Sequence, residues 1–83
     1  MQYSRNEILT KLSEMMKTNG ITDKDLMSLP DDIRLDEDLG MTSINMLYMV
    51  IYIEEEFGVD FGAKSIRDFK TLGDVVKFIS EEA

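Results

Sequence analysis

The sequence contains no cysteine and no histidine among its 83 residues, and only one proline. Without cysteine, neither disulfide bonds nor thiolate metal sites can form. Without histidine, the chain lacks imidazole zinc ligands, histidine general bases and every Ser-His-Asp or Cys-His catalytic arrangement. These absences argue against a hydrolytic enzyme, and we expect no metal site.

Positive charge is also scarce, because 9 Lys and Arg residues face 17 Asp and Glu residues, which gives a net charge of −8. Nucleic acids are therefore poor partners, whereas a partner with a basic surface is favoured. No apolar run reaches the roughly 20 residues of a membrane span, and residues 1–7 lack the features of a signal peptide. We expect a cytoplasmic monomer that does not insert into membranes.

The chain length predicts one domain, residues 1–83, with a modest core. Residues 3–18 should form the first helix, because Ser4 and Glu7 have the spacing of a capping box and Asn19-Gly20 suits a helix end. Its apolar face repeats at helical spacing. That face consists of Ile8, Leu9, Leu12, Met15 and Met16.

A long acidic connection follows, residues 21–41. Thr22 to Asp25 can cap a short turn that holds Leu26 and Met27, and Pro30 prevents a continuing helix. A connection of this length is expected to be functional or fixed locally to the core. Its acidic residues are Asp31, Asp32, Asp36, Glu37 and Asp38, and its expected core contacts are Ile33, Leu35 and Leu39.

The second helix is predicted at residues 43–57, closed by Gly58, and it is apolar on more than one side. One stripe contains Leu47, Val50, Ile53 or Glu54, and Phe57; a second contains Ile44, Tyr48, Ile51 or Tyr52, and Glu55. One stripe is enough to face a small core. The second stripe indicates either a partner-binding surface or a helix at the centre of the bundle.

Two further helices complete the prediction. Residues 63–68 should form a short helix carrying Ile66, and Thr71 with Asp74 is a capping pair that opens a last helix over residues 72–80. The core residues of this last helix are Leu72, Val75, Val76, Phe78 and Ile79. The predicted fold is all-α, a small four-helix bundle of three longer helices and one short helix.

Ser43 stands at the start of the second helix and has two structural interpretations. It can be the N-cap, or Thr42 can be the cap and Ser43 the first helical residue. In the second case the Ser43 hydroxyl points to solvent, and a phosphodiester there would lie at the positive end of the helix dipole. Gly40 allows the chain to turn sharply into the helix.

Three blocks of sequence resemble the acyl carrier protein family. They are Asp38-Leu39-Gly40-Met41-Thr42-Ser43-Ile44, then Glu54-Glu55-Glu56-Phe57-Gly58-Val59, and Thr71-Leu72-Gly73-Asp74-Val75-Val76. The resemblance implies that a phosphopantetheinyl transferase moves 4′-phosphopantetheine from coenzyme A to Ser43. The arm's thiol would then carry acyl groups as thioesters between separate enzymes, and the protein itself would catalyse nothing. Alternatives are an unmodified bundle that serves as an interaction module, and a peptidyl or aminoacyl carrier.

The chain departs from the family pattern along the second helix. Thr42 replaces the Asp that usually precedes the serine, and Asn45 and Tyr48 stand where acidic residues are common. Lys64 and Arg67 add positive charge to the short helix. The expected docking surface for acyl-transferring and condensing enzymes is therefore apolar with an acidic rim: Ile44, Tyr48 and Ile51, with Asp38, Glu54 and Glu55. These departures favour a specialised carrier for polyketide, peptide or modified-lipid assembly.

The family can also enclose a growing acyl chain inside the bundle. The candidate lining residues are Met46, Val50, Phe61, Ile66, Phe69, Leu72 and Val76. The alternative is that these residues form an ordinary core, since apolar helix faces are normally buried against one another.

Overall fold

The computed structural model describes residues 3–61 and 68–82. Within these ranges lie three α-helices, α1 (Arg5–Thr18), α2 (Ser43–Phe57) and α3 (Leu72–Glu82), and a short 3-10 helix, Leu26–Ser28. The three longer helices are confirmed, although α1 begins two residues after the predicted start and α3 ends two residues beyond residue 80. Residues 63–67 of the expected short helix lie outside the described residues, with Ile66, Lys64 and Arg67. No helix in the described ranges is long and apolar enough to span a bilayer.

Both predicted capping pairs are confirmed. The Ser4 hydroxyl accepts the Glu7 backbone N–H at 3.1 Å, and the Glu7 carboxylate accepts the Ser4 N–H at 3.1 Å. At α3, the Thr71 hydroxyl accepts the Asp74 N–H at 3.2 Å, while Asp74 Oδ2 accepts the backbone N–H groups of Thr71 and Lys70 at 3.0 Å each. Burial would raise the pKa of Asp74, but these hydrogen bonds hold it below its ordinary value.

The core is formed by one face of each α-helix. All the predicted core residues of α1 and α3 are buried. Neither predicted stripe of α2 forms the core face as a whole, because in the first stripe Leu47 is exposed and Val50 only half-buried, whereas Ile53 and Phe57 are buried. The residues of α2 that are buried are Met46, Met49, Ile53 and Phe57. Because α2 is apolar on several sides, the spacing of its apolar residues does not determine which face enters the core. The face that does so contains two methionines, whose flexible side chains adapt to the space available.

The acidic connection is held to the core at several points. Leu26, in the 3-10 helix, is fully buried, and its N–H is accepted by the buried Ser13 hydroxyl at 3.0 Å. Leu35 and Leu39 are buried as predicted, and Ile33 is half-buried. These contacts explain how a connection of this length remains ordered without a long helix or strand.

Part of the connection runs antiparallel to the start of α3. Three backbone hydrogen bonds join them: Gly73 N–H to Asp31 O at 2.8 Å, Leu72 N–H to Ile33 O at 3.1 Å, and Leu35 N–H to Lys70 O at 3.0 Å. A Cβ on Gly73 would lie 3.0 Å from Asp31 Cβ and 3.1 Å from Asp31 O. Glycine is therefore favoured here, because a larger residue would force Asp31 to move by a few tenths of an ångström.

Candidate functional site

The start of α2 is fixed by a reciprocal capping box that does not use Ser43. Thr42 Oγ1 accepts the Asn45 N–H at 3.1 Å, and Asn45 Oδ1 accepts the Thr42 N–H at 3.1 Å. Thr42 has extended backbone angles and is the N-cap, so Ser43 is the first residue of the helix. Of the two interpretations of Ser43, the one in which Thr42 is the cap is correct.

The Ser43 hydroxyl is consequently free. The residue is exposed, and no hydrogen bond engages its side chain within the described ranges. The backbone N–H groups of Ser43 and Ile44 also find no acceptor among the described residues, as is usual for the first two positions of a helix. An anion attached to Ser43 Oγ would meet these donors and the positive end of the helix dipole, so the position suits a phosphodiester.

The backbone before Ser43 is anchored firmly. Met41 is buried, and its N–H donates to Leu35 O at 3.0 Å. Gly40 precedes it with φ +71°, a left-handed conformation that side-chain-bearing residues rarely adopt. This turn brings the chain from the buried Leu39 to the exposed Ser43 within four residues.

An open groove adjoins Ser43. Its apolar walls are formed by Leu35, Met41, Met46 and Phe69, and its polar walls by Arg34, Asp36, Thr42, Asp68 and Lys70. The groove lining therefore combines two cationic residues, two acidic residues and an apolar surface beside Ser43. Sequence reasoning did not find this arrangement, because Arg34 and Lys70 are far apart in the chain.

The outer face of α2 is apolar and exposed. The exposed fractions are 79% for Ile44, 52% for Leu47, 47% for Tyr48 and 47% for Ile51. Their spacing of i, i+3, i+4 and i+7 is that of one continuous helix face. Leu47 was not among the predicted docking residues, because its spacing placed it in the other apolar stripe of α2.

The three acidic residues expected at the rim differ in their surroundings. Glu55 is exposed and has no hydrogen bond or ion pair among the described residues. Glu54 is half-buried, and its Oε2 accepts the Phe61 N–H at 3.3 Å. Asp38 is exposed, but its Oδ2 accepts the Arg34 N–H at 2.7 Å. The carboxylates of Glu54 and Asp38 thus also stabilise local backbone.

The residues named as a possible acyl-chain lining lie in the core. Met46, Phe61, Phe69, Leu72 and Val76 are buried, Val50 is half-buried, and Ile66 is outside the described residues. Phe61, Phe69 and Phe78 form a cluster of rings with centroids 4.6–5.3 Å apart. This spacing is that of packed aromatic pairs.

Comparison with known proteins identifies the class to which the chain belongs. A family model described as a phosphopantetheine attachment site matches residues 7–79. The chain therefore belongs to a class of proteins that carry a covalent prosthetic group.

Named relatives define the family more closely. An acyl carrier protein of Arthrobacter sp. strain FB24 is 35% identical over 77 residues, 93% of each chain. The acyl carrier protein of Acidothermus cellulolyticus is 33% identical, and the alignment covers 96% of this chain and 93% of that protein. The acyl carrier protein of Tropheryma whipplei strain Twist is 30% identical, and the alignment covers 95% of this chain and 94% of that protein. The chain belongs to the acyl carrier protein family.

Membership of this family defines the general role. The chain is a non-catalytic carrier, and its prosthetic group is 4′-phosphopantetheine. Bound to the protein, this group supplies a terminal thiol on a flexible arm, on which acyl groups travel as thioesters. A chain that has neither cysteine nor histidine can therefore take part in thioester chemistry.

Proposed function

We propose that Ser43 is the residue to which 4′-phosphopantetheine is attached, and that the chain delivers acyl groups from one biosynthetic enzyme to another. The observation that carries this proposal is the free, exposed hydroxyl at the first position of α2. Because Thr42 supplies the cap, esterifying Ser43 removes no hydrogen bond from the helix. The free N–H groups beside it favour the added negative charge.

Attachment requires one bond to form and one to break. Ser43 Oγ attacks the phosphorus that bears the pantetheine in coenzyme A, and the hydroxyl proton leaves. The phosphoanhydride bond breaks, and adenosine 3′,5′-bisphosphate departs. A phosphopantetheinyl transferase supplies the catalysis, and this chain contributes an accessible, rigidly placed nucleophile.

Intact mass measurement tests the attachment. The chain is co-expressed with a broad-specificity phosphopantetheinyl transferase, and we expect one added phosphopantetheine mass that Ser43→Ala abolishes. Ser28→Ala, which removes another exposed serine hydroxyl, is the matched control and should be modified normally. Since Thr42 remains in the Ser43→Ala variant, persistent modification would place the group on a neighbouring hydroxyl or elsewhere.

The same experiment separates the alternative function. The exposed apolar face of α2 would suit an interaction module that is never modified. If the purified chain stays unmodified in the presence of a transferase that modifies another carrier in the same cells, the interaction module becomes the better description.

We also infer that partner enzymes dock on the outer face of α2, formed by Ile44, Leu47, Tyr48 and Ile51. The first turn of α2 has no acidic residue, so contact there is apolar. Glu55 and the acidic connection around Asp38 provide negative charge at the two ends of the face. The partner expected from this pattern has an apolar groove bordered by basic residues.

A pair of charge variants tests the docking surface. Tyr48→Glu places a charge in the middle of the apolar face and should weaken acyl transfer by a cognate partner about tenfold or more, as for an apolar contact at an interface centre. Glu81→Gln, an exposed position on α3, is the control and should leave transfer unchanged. Equal transfer rates for Tyr48→Glu and the wild-type chain would exclude this face as the docking surface.

A further inference from the structure

We propose that Arg34 and Lys70 are positioning residues that hold the phosphodiester of the prosthetic arm beside Ser43. The proposal rests on Ser43 being the attachment residue. It concerns where the base of the arm lies once attached, and it assigns a role to two cations that the carrier function alone does not require.

Ser43 shares its groove with two cationic residues, Arg34 and Lys70. The backbone of both is fixed by hydrogen bonds. The Arg34 N–H donates to Asp38 Oδ2 at 2.7 Å, and Lys70 O accepts the Leu35 N–H at 3.0 Å. Both cations therefore belong to one ordered pair of segments that borders the same groove as Ser43.

Neither cation forms a close ion pair among the described residues. The Arg34 guanidinium approaches Asp36 at 3.6 Å and Glu37 at 4.0 Å, and its Nε is buried without a hydrogen-bond partner in the described part of the chain. The exposed Lys70 forms no ion pair within 4.0 Å among the described residues. A phosphodiester offers acceptor oxygens to both, and charge-assisted hydrogen bonds of this kind are stronger than neutral ones.

The other cations of the described residues do not line this groove, although Lys17 and Lys24 are exposed and form no ion pair within 4.0 Å. Arg5 is paired with Asp31, and Lys11 Nζ lies 2.6 Å from Glu56 Oε1. Lys77 is on α3 and lines a different groove, together with Glu81 and Glu82. Asp36 and Asp68 also line the Ser43 groove, so an anion there would be held by direct hydrogen bonds to Arg34 and Lys70 rather than by the net charge of the groove.

Phosphorus NMR of the loaded protein tests the proposal. The ³¹P chemical shift of the phosphodiester is followed from low salt to 0.5 M NaCl, where screening weakens contacts between exposed charges. In the wild-type protein we expect a salt-dependent shift. Arg34→Gln and Lys70→Gln should each reduce this dependence, and the double variant should retain only the part that the helix N-terminus supplies.

Two controls exclude a merely structural effect. Lys77→Gln removes one positive charge outside the groove and should behave like the wild-type protein, and Lys70→Arg should restore the salt dependence lost in Lys70→Gln. For each protein, the Tm of the unloaded form is subtracted from the Tm of the loaded form. At low salt this difference should be about 2–4 °C smaller in the double variant than in the wild-type protein. Taking the difference cancels any change in the stability of the unloaded bundle.

The outcomes are distinct. An identical salt dependence and an identical loading-induced Tm change in wild-type and double-variant proteins would overturn the positioning role while leaving Ser43 attachment intact. If intact mass shows no phosphopantetheine on Ser43, the attachment proposal is wrong and the positioning role is wrong with it.

Discussion

Thr42 is the residue whose replacement tests the architecture of the site most sharply. Thr42→Ala removes the hydroxyl that accepts the Asn45 N–H at 3.1 Å. The loss of such a cap costs about 1 kcal/mol, which lowers the Tm of a domain of this size by about 4–8 °C. The first turn of α2 has no acidic residue that could compensate. Thr42→Asp keeps a capping oxygen and adds a negative charge at the positive end of the helix, which is worth about 0.3–1 kcal/mol.

We therefore expect the Thr42→Asp protein to be at least as stable as the wild-type protein, and both to be more stable than the Thr42→Ala protein. Thermal unfolding of the unloaded proteins, followed by circular dichroism at low salt, measures this order. Thr18→Ala at the exposed end of α1 is the matched control and should change the free energy of unfolding by less than about 0.5 kcal/mol. Equal Tm values for Thr42→Ala and the wild-type protein would refute the capping role.

The Thr42 series also has a functional consequence. When the Thr42 hydroxyl is absent, Ser43 is the next residue able to cap the helix, and its hydroxyl would then be used in a hydrogen bond. We expect slower modification of Thr42→Ala than of Thr42→Asp, measured as the rate at which the phosphopantetheine mass appears. Equal rates would show that a free Ser43 hydroxyl does not limit the reaction.

Three further predictions concern packing, acid stability and loading. Gly73→Ala gains up to about 1 kcal/mol of helix propensity but crowds Asp31, so we expect the free energy of unfolding, measured in urea, to fall by up to about 2 kcal/mol. Ser80→Ala is the control and should be neutral or stabilising. A Gly73→Ala protein more stable than wild type would contradict the close approach. Hydrogen bonds that outweigh burial lower the folded-state pKa of Asp74. The stability that its carboxylate contributes is therefore full above about pH 5 and is lost as the pH falls through the folded-state pKa. Asp74→Asn should accordingly reduce the dependence of the free energy of unfolding on pH in the acid range. An unchanged dependence would rule out this contribution. Loading of the wild-type protein should raise its Tm at low salt, since negative charge is added at a helix N-terminus, and a fall would contradict the placement of Ser43 at that end.

The helix boundaries were predictable because their signals are local. Each capping pair spans about one helical turn, so it can be identified from spacing alone. The two pairs are Ser4 with Glu7 and Thr71 with Asp74. Gly58 ends α2 with φ +67°, as expected of a glycine that follows a helix. Such features depend on a few neighbouring residues and need no knowledge of the tertiary fold.

The face of α2 that enters the core could not be predicted in the same way. Met46 and Met49 are buried while Leu47 is exposed, although leucine is the more frequent core residue in a helix of this kind. Both arrangements give α2 an apolar face towards α1 and α3, and the choice depends on how the other helices fill the space. The stripe of Ile44, Tyr48 and Ile51 was nevertheless visible in the sequence at i, i+4 and i+7.

Features made by residues distant in the chain were also beyond sequence reasoning. The close approach of Asp31 to Gly73 and the groove shared by Arg34, Lys70 and Ser43 both depend on the antiparallel pairing of the acidic connection with the start of α3. The pairing involves only a few residues. Ile33 and Leu35 alternate with charged residues, but this run is too short to be identified as a strand from the sequence.

The most direct measurement of the central claim is localisation of the prosthetic group by tandem mass spectrometry. The chain is loaded by a transferase, digested, and the peptide that contains Ser43 is fragmented. We predict that the phosphopantetheine mass is found on Ser43, with Thr42 unmodified in the same peptide. Finding the group on any other residue, or no group while a second carrier in the same reaction is fully loaded, would contradict the account.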